Sequence, residues 1–192
     1  MVAVLRCHDG WYLQTFKSEV MTLYARILGK KFKELSPLVQ AMHSYETTKT
    51  LKGTVNIQRG KSFTAKLLNP LMGLPKEKEN AFLMLELKAE KQEEVWKRTF
   101  GSDSFSSVQY QDAEQMVECM GLLKMYFDVY VNEASLCTVL KKTTVLGINV
   151  PKMFTLNISS QVKEEQGRVL FLVEVSTKKG ALVINYDGII NL

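Results

Sequence analysis

The chain has 192 residues and a formal net charge of +5, from 25 basic and 20 acidic side chains. Its 46 % hydrophobic and 23 % charged fractions provide enough apolar surface to offset chain entropy, which excludes disorder as a description of the whole chain. So small a basic surplus does not mark a dedicated nucleic-acid binder, which gathers its charge on one face, and no run reaches the ~18 to 20 apolar residues of a membrane-spanning helix.

The opening MVAVLRCHDG lacks a basic region followed by an apolar one, so no signal peptide is expected. From Trp11 to Leu28 the residues Tyr12, Leu13, Phe16, Val20, Leu23, Tyr24, Ile27 and Leu28 recur in steps of three and four. That spacing predicts an amphipathic helix, with Gly29 as its stop. Ser36-Pro37 reads as an N-cap and first helical proline for a short helix ending near His43. Over Thr50 to Gln58 the period becomes two, with Leu51, Gly53, Val55 and Ile57 on one face of a strand. Ser62 to Met72 returns to helical spacing, with Phe63, Leu67, Leu68 and Leu71 on one side, and Gly73 and Pro75 end it.

Everything after Pro75 reads as strands. Ala81–Ala89, Val95–Phe100 and Phe105–Tyr110 come first, then a strand from Met116, then the alternating Leu123, Met125, Phe127, Val129 and Val131. Leu136, Thr138 and Leu140 continue the pattern. VLGINVP at 145–151 interrupts it as a loop or crossing segment. Phe154, Leu156, Ile158, Ser160 and Val162 alternate inward, followed by Val169 to Val175 and Leu182 to Tyr186. The expected fold class is α+β: N-terminal helices packed on a large curled antiparallel sheet of about nine strands, half-barrel or barrel-like. Neither a linker nor a repeat divides the chain, so residues 1–192 read as one domain. Its part up to residue 45 is helical, and 50–192 is mostly sheet with one helix near 62–73.

The familiar catalytic signatures are missing. Gly60-Lys61-Ser62 ends like a phosphate loop, but Val55 stands where the first glycine is required. There is no GxSxG or GxGxxG, and the only histidines are His8 and His43. Cys7, Cys119 and Cys137 have neither disulfide nor zinc spacing, so no disulfide, metal or cofactor is expected. An odd set of free thiols fits a reducing, cytoplasmic setting.

Alternation singles out a few polar residues. On a strand, Trp96, Arg98 and Phe100 share a face, and so do Met116, Glu118 and Met120. Arg98 and Glu118 are therefore either rim charges that reach water or an interior pair that must find partners. His43 closes its helix, as a dipole-favoured imidazole or as a site residue. Arg59, at the end of the first strand, either binds an anion or caps the strand.

The stretches LGKKFKELSPLVQAMH, GTVNIQRG, MGLP, WKRTF, LGINVP and the closing YDG, in this order, resemble an uncharacterised bacterial domain-of-unknown-function family. That family occurs alone, at the end of saccharopine-dehydrogenase-like reductases, or attached to multi-span membrane proteins. The resemblance runs from about Leu28 to Gly188. It implies family positions at His43, Arg59-Gly60, Trp96 to Phe100, and Tyr186 to Gly188, with no activity or cofactor attached. The reductase chemistry belongs to a neighbouring nucleotide-binding domain whose glycine-rich loop is absent here.

Three expectations follow. The first is a non-catalytic binding module with an apolar cavity for a small apolar or anionic, or lipid-like, ligand, with His43, Arg59, Trp96, Arg98, Glu118 and Tyr186 as candidate contacts. The second is an enzyme using Glu118 or His43 as base and an arginine for an oxyanion. The third is a structural domain resting on a membrane surface or membrane-protein partner through the N-terminal helix and Lys30, Lys31 and Lys33. No nucleic-acid partner is expected.

Overall fold

The computed structural model describes residues 21–71 and 73–192. The part of the expected Trp11–Leu28 helix up to Val20, Cys7, His8 and the side chain of Leu71 lie outside the described residues.

Two-residue alternation carries most of the chain into strands: β1 (Thr48–Arg59), β2 (Lys78–Glu90), β3 (Glu93–Phe100), β4 (Asp103–Asp112), β5 (Gln115–Met120) and β6 (Leu123–Asn132), then β7 (Ser135–Val145), β8 (Ile148–Asn149), β9 (Leu156–Glu165), β10 (Arg168–Thr177) and β11 (Leu182–Asn191). All the strand pairings are antiparallel. Around the sheet the order is β6-β5-β4-β3-β2-β1-β11-β10-β9-β7, and β6 pairs again with β7. Ten strands thus close into a barrel, and β8 hangs on β7.

The barrel-like form of the expected sheet is the one found, while the α+β class and the half-barrel alternative are corrected. The molecule is β-rich, and its sheet has no free edge along the ten-strand ring. Each twisted strand rotates against its neighbour until the first and last meet, and closure pairs the backbone groups that two open edges would leave exposed. The strand count also exceeds the expected nine or so, in part because β8 forms inside the 145–151 interruption.

Helices are short. α1 (Leu23–Leu28), a 3-10 helix (Gly29–Glu34) and α2 (Pro37–Met42) lie across one end of the barrel. Their apolar residues Leu23, Tyr24, Leu28, Leu35, Val39 and Met42 join the same buried cluster as the inward-facing Leu51, Val55, Leu85, Phe100 and Phe127. Hydrogen bonds pin this plug to the turns beneath it. Ser36 N–H donates to the Ala134 carbonyl (2.9 Å) in the β6–β7 turn. Leu38 N–H donates to the Glu164 carboxylate (3.0 Å), and Arg26 donates to the Gln92 carbonyl (2.9 Å) in the β2–β3 turn.

At the other end, α3 (Phe63–Leu71) follows β1 and packs against β11. Ser62 Oγ accepts from Ala65 N–H at 3.1 Å, as an N-cap should. Only part of the apolar face expected for α3 packs: Leu68 meets the core. Ala65 and Asn69 are buried, with Asn69 donating to the Val183 carbonyl (3.2 Å), whereas Phe63 and Leu67 are exposed. Phe154 departs likewise. Read as an inward strand residue, it lies in a short 3-10 turn (Lys152–Phe154) and is exposed.

Two glycines are required by close approach. A Cβ on Gly60 would fall 1.7 Å from the Leu182 carbonyl oxygen. One on Gly188 would fall 2.3 Å from the Thr54 carbonyl oxygen and 2.7 Å from the Phe171 ring.

Candidate functional site

Inside the barrel, between the plug and the strands, lies a cavity of about 190 Å³. Its walls are mostly apolar, with Leu83, Leu85, Phe100, Met116, Met125 and Phe127 among them, and Met42 from the plug. The polar residues that reach it are Tyr24, His43, Arg98, Gln109, Glu118, Thr138, Ser160 and Tyr186. The plug supplies Tyr24 and His43, and the inward faces of the strands place the other six there. β3 turns Glu94, Trp96, Arg98 and Phe100 to the same side, and β5 does so with Met116, Glu118 and Met120.

The two interior charges find each other. Arg98 Nη2 donates to Glu118 Oε1 at 3.0 Å, with side chains 17 % and 13 % exposed. The same oxygen accepts from Ser107 Oγ (2.6 Å) and Gln109 Nε2 (3.2 Å), and Arg98 Nη1 donates to Ser107 Oγ (2.8 Å). Gln109 Oε1 in turn accepts from Tyr24 O–H at 3.2 Å, which joins the network to the plug. The Arg98 guanidinium lies 5.1 Å from the Trp96 ring centroid and 5.4 Å from that of Phe105, so its faces are covered by aromatics. A charge drawn this far out of water is tolerated because it is paired and hydrogen-bonded. Burial, and then the charges of Glu118 and Glu94, push the Tyr24 phenol far above its ordinary value, so it serves as a neutral donor.

His43 sits beside this network at the end of α2. Its ring is 4.3 Å from that of Tyr24 and stacks on Trp96 at 5.9 Å between centroids. It is buried, and neither ring nitrogen has a hydrogen-bond partner among the described residues. Burial, helped by the Lys49 charge, lowers its pKa to about 3. Near neutrality the imidazole is therefore uncharged, offering one donor and one acceptor, and it is a weak base. Tyr186, from β11, stacks on Phe100 at 5.6 Å. Its hydroxyl is buried without a partner, and burial raises its pKa against the pull of Arg98 and Arg59.

Of the residues singled out from the sequence, His43, Trp96, Arg98, Glu118 and Tyr186 line this one cavity, and Arg59 does not. Arg59 donates Nε–H to the Pro75 carbonyl at 2.8 Å and Nη2–H to the Leu74 carbonyl, fastening the connection from α3 to β2.

Sequence reasoning missed Glu94. It is 1 % exposed, and its carboxylate accepts from Leu23 N–H (2.8 Å), Tyr45 O–H (2.5 Å) and Trp96 Nε1–H (3.0 Å). The Leu23 bond replaces the side-chain cap that Thr22 does not make for α1. The signal was present, because Glu94 stands two residues before Trp96 and shares its face. The same alternation from Phe105 places Ser107 and Gln109 inward.

No transmembrane-length apolar helix occurs among the described residues. No curated protein and no solved structure matches the chain. A family model does, across residues 35–190, a span that holds β1 to β10, all but the last residue of β11, His43 and the cavity walls other than Tyr24. The chain belongs to the family described as Domain of unknown function (DUF4166).

Proposed function

We propose that the protein is a binding module whose barrel cavity takes a small, largely apolar molecule bearing a neutral oxygen head group. The observation that carries this reading is the pair of buried, unpartnered polar groups, His43 and Tyr186, in one mostly apolar cavity whose charged residues, Arg98 and Glu118, are paired with each other. Buried polar groups ordinarily find partners, and a ligand oxygen supplies one to each. The head group is neutral on electrostatic grounds. His43 is uncharged near neutrality, and the Arg98 charge is already matched by Glu118. Size narrows the class. A cavity of ~150 Å³ holds one benzene ring, so 190 Å³ suits a single substituted ring or a short branched chain.

The test is a titration of Trp fluorescence and melting temperature with two probes of one shape, acetophenone and benzoate. Trp96 lines the cavity and reports occupancy. Acetophenone is expected to bind and to raise the melting temperature, with benzoate at least about tenfold weaker, because its charge must be desolvated without a free counter-ion. Tyr186→Phe is expected to weaken acetophenone about three- to tenfold, the value of one hydrogen bond. Equal binding of both probes, or of neither, contradicts the proposal.

A further inference from the structure

The barrel end opposite the plug carries an unusual share of the molecule's exposed apolar surface. Among the described residues thirteen large hydrophobic side chains are exposed, and eight belong to this end: Phe63 and Leu67 of α3, Leu122 of the β5–β6 turn, Val145, Leu146 and Ile148 of the β7–β8 hairpin, and Met153 and Phe154 just after it. Apart from Val145 they are 58 to 84 % exposed. Leu146 N–H donates to the Leu122 carbonyl at 3.1 Å, and Val145 pairs with Ile148, so two of these loops form one projecting patch. Leu146 occupies the hairpin tip with φ 52°, a position that favours asparagine, aspartate or glycine over a branched apolar residue. Turn chemistry is given up there to display a leucine.

Charge on the same arc has one sign. Running round the ring from the β5–β6 turn through the β7–β9 connection and the β10–β11 turn to α3, the segments 60–69, 121–122, 145–154 and 178–181 contain Lys61, Lys66, Lys152, Lys178 and Lys179 and no acidic residue. None of these lysines forms an ion pair among the described residues. The acidic residues of this end, Glu77, Glu79 and Asp103, belong to the remaining arc, where Asp103 is paired with Lys78 at 3.3 Å.

We propose that this arc docks on the surface of an anionic lipid bilayer, with the apolar loop tips in the interfacial layer and the lysines against the head groups. Apolar side chains on separate loop tips, with lysines on the same arc at Lys61, Lys66, Lys152, Lys178 and Lys179, match a surface that is apolar beneath and anionic above. A lysine-rich, acid-free rim also lacks the mixed charges with which a protein partner would be oriented. This surface lies at the barrel end opposite α1 and α2, and it does not depend on the cavity holding a ligand.

The test is co-sedimentation of the 192-residue chain with vesicles of phosphatidylcholine containing phosphatidylserine, beside vesicles of phosphatidylcholine alone. Binding is expected on the first, released by salt, and much weaker on the second. The triple variant Leu146→Ser, Ile148→Ser, Phe154→Ser is expected to lower the partition at least about tenfold. Lys152→Gln, Lys178→Gln and Lys179→Gln together are expected to lower it roughly hundredfold, at about fivefold per lysine. If the apolar triple variant does not fold, as judged by melting, Phe63→Ser with Leu67→Ser tests the same surface from another loop. No binding to the anionic vesicles, or binding that survives the apolar substitutions in a folded variant, overturns the proposal. So does concentration-dependent self-association abolished by those substitutions without vesicle binding, which would make the arc an interface between copies of the chain.

Discussion

His43 packs between Tyr24 and Trp96 with both nitrogens buried, and this sets a pH dependence with a definite sign. The ordinary value is 6.5 and the folded value about 3. Above the ordinary value both folded and unfolded chains carry a neutral ring. Below it the unfolded chain takes up a proton that the folded chain refuses, so stability falls, by up to about 1.4 kcal/mol per pH unit, until the folded value is passed. His43→Phe keeps an aromatic ring and removes the titration. Chemical unfolding between about pH 7 and about pH 4 is expected to show a shallower loss for the variant than for the parent. Identical slopes would mean that the ring is protonated in the folded state. The second residue-scale prediction concerns Arg98 and Glu118. Arg98→Met leaves the Glu118 carboxylate with only neutral donors and is expected to cost about 3 to 5 kcal/mol in denaturant unfolding. Replacing both by methionine is expected to recover much of it. No recovery would show that Ser107 and Gln109, stranded in turn, dominate the cost.

At the scale of elements, the plug and the sheet are joined through Glu94. Six-residue helices such as α1 and α2 are too short to stand alone in water, so their structure is borrowed from the barrel. Glu94→Ala strands buried donors on Leu23 and Trp96, at about 1 to 3 kcal/mol each. The expected result is faster amide hydrogen exchange in residues 22–43 than in the strands, with the barrel itself retained. Uniform exchange across both would show that plug and barrel unfold as one unit. Gly188 tests the packing of β11 between β1 and β10. Gly188→Ala drives a methyl into the Thr54 carbonyl and the Phe171 ring, and a loss of about 1 to 3 kcal/mol is expected on thermal unfolding. The glycines of the Arg59-Gly60 and Tyr186-to-Gly188 motifs thus have a packing explanation that calls for no ligand.

For the whole molecule, closure is the organising fact. β1 pairs with β11, and the chain between them runs round the ring, so the barrel needs contacts between its most distant strands. That makes folding slow compared with a helical domain of this size. It also means that cutting the chain after residue 166, which removes β10 and β11, leaves edges of β1 and β9 unpaired. The shortened chain is expected to sediment as aggregate where the 192-residue chain remains in solution; a soluble, strand-rich product would show that the ring is not required.

Period-two alternation by itself determined nearly every strand, because a sheet with one buried face repeats every two residues whatever it pairs with. It also determined that Arg98 and Glu118 share a side with apolar neighbours, and desolvation then required partners for them. Short-range signals placed α2 at Ser36-Pro37 and α3 at Ser62. The tertiary structure decided the rest. Whether the sheet stays open or closes depends on accumulated twist and on β1 meeting β11 across the length of the chain, which no local pattern records. The face of α3 that packs was decided by the room beside β11, which admits Ala65 and Asn69 but leaves Phe63 and Leu67 outside. Arg59 was drawn to the Leu74 and Pro75 carbonyls by a loop that folds back on it. Glu94 became the anchor of the plug only because α1 begins above it. Alternation tells which residues share a face, but contact between faces depends on distances in space, and those are set by closure of the barrel.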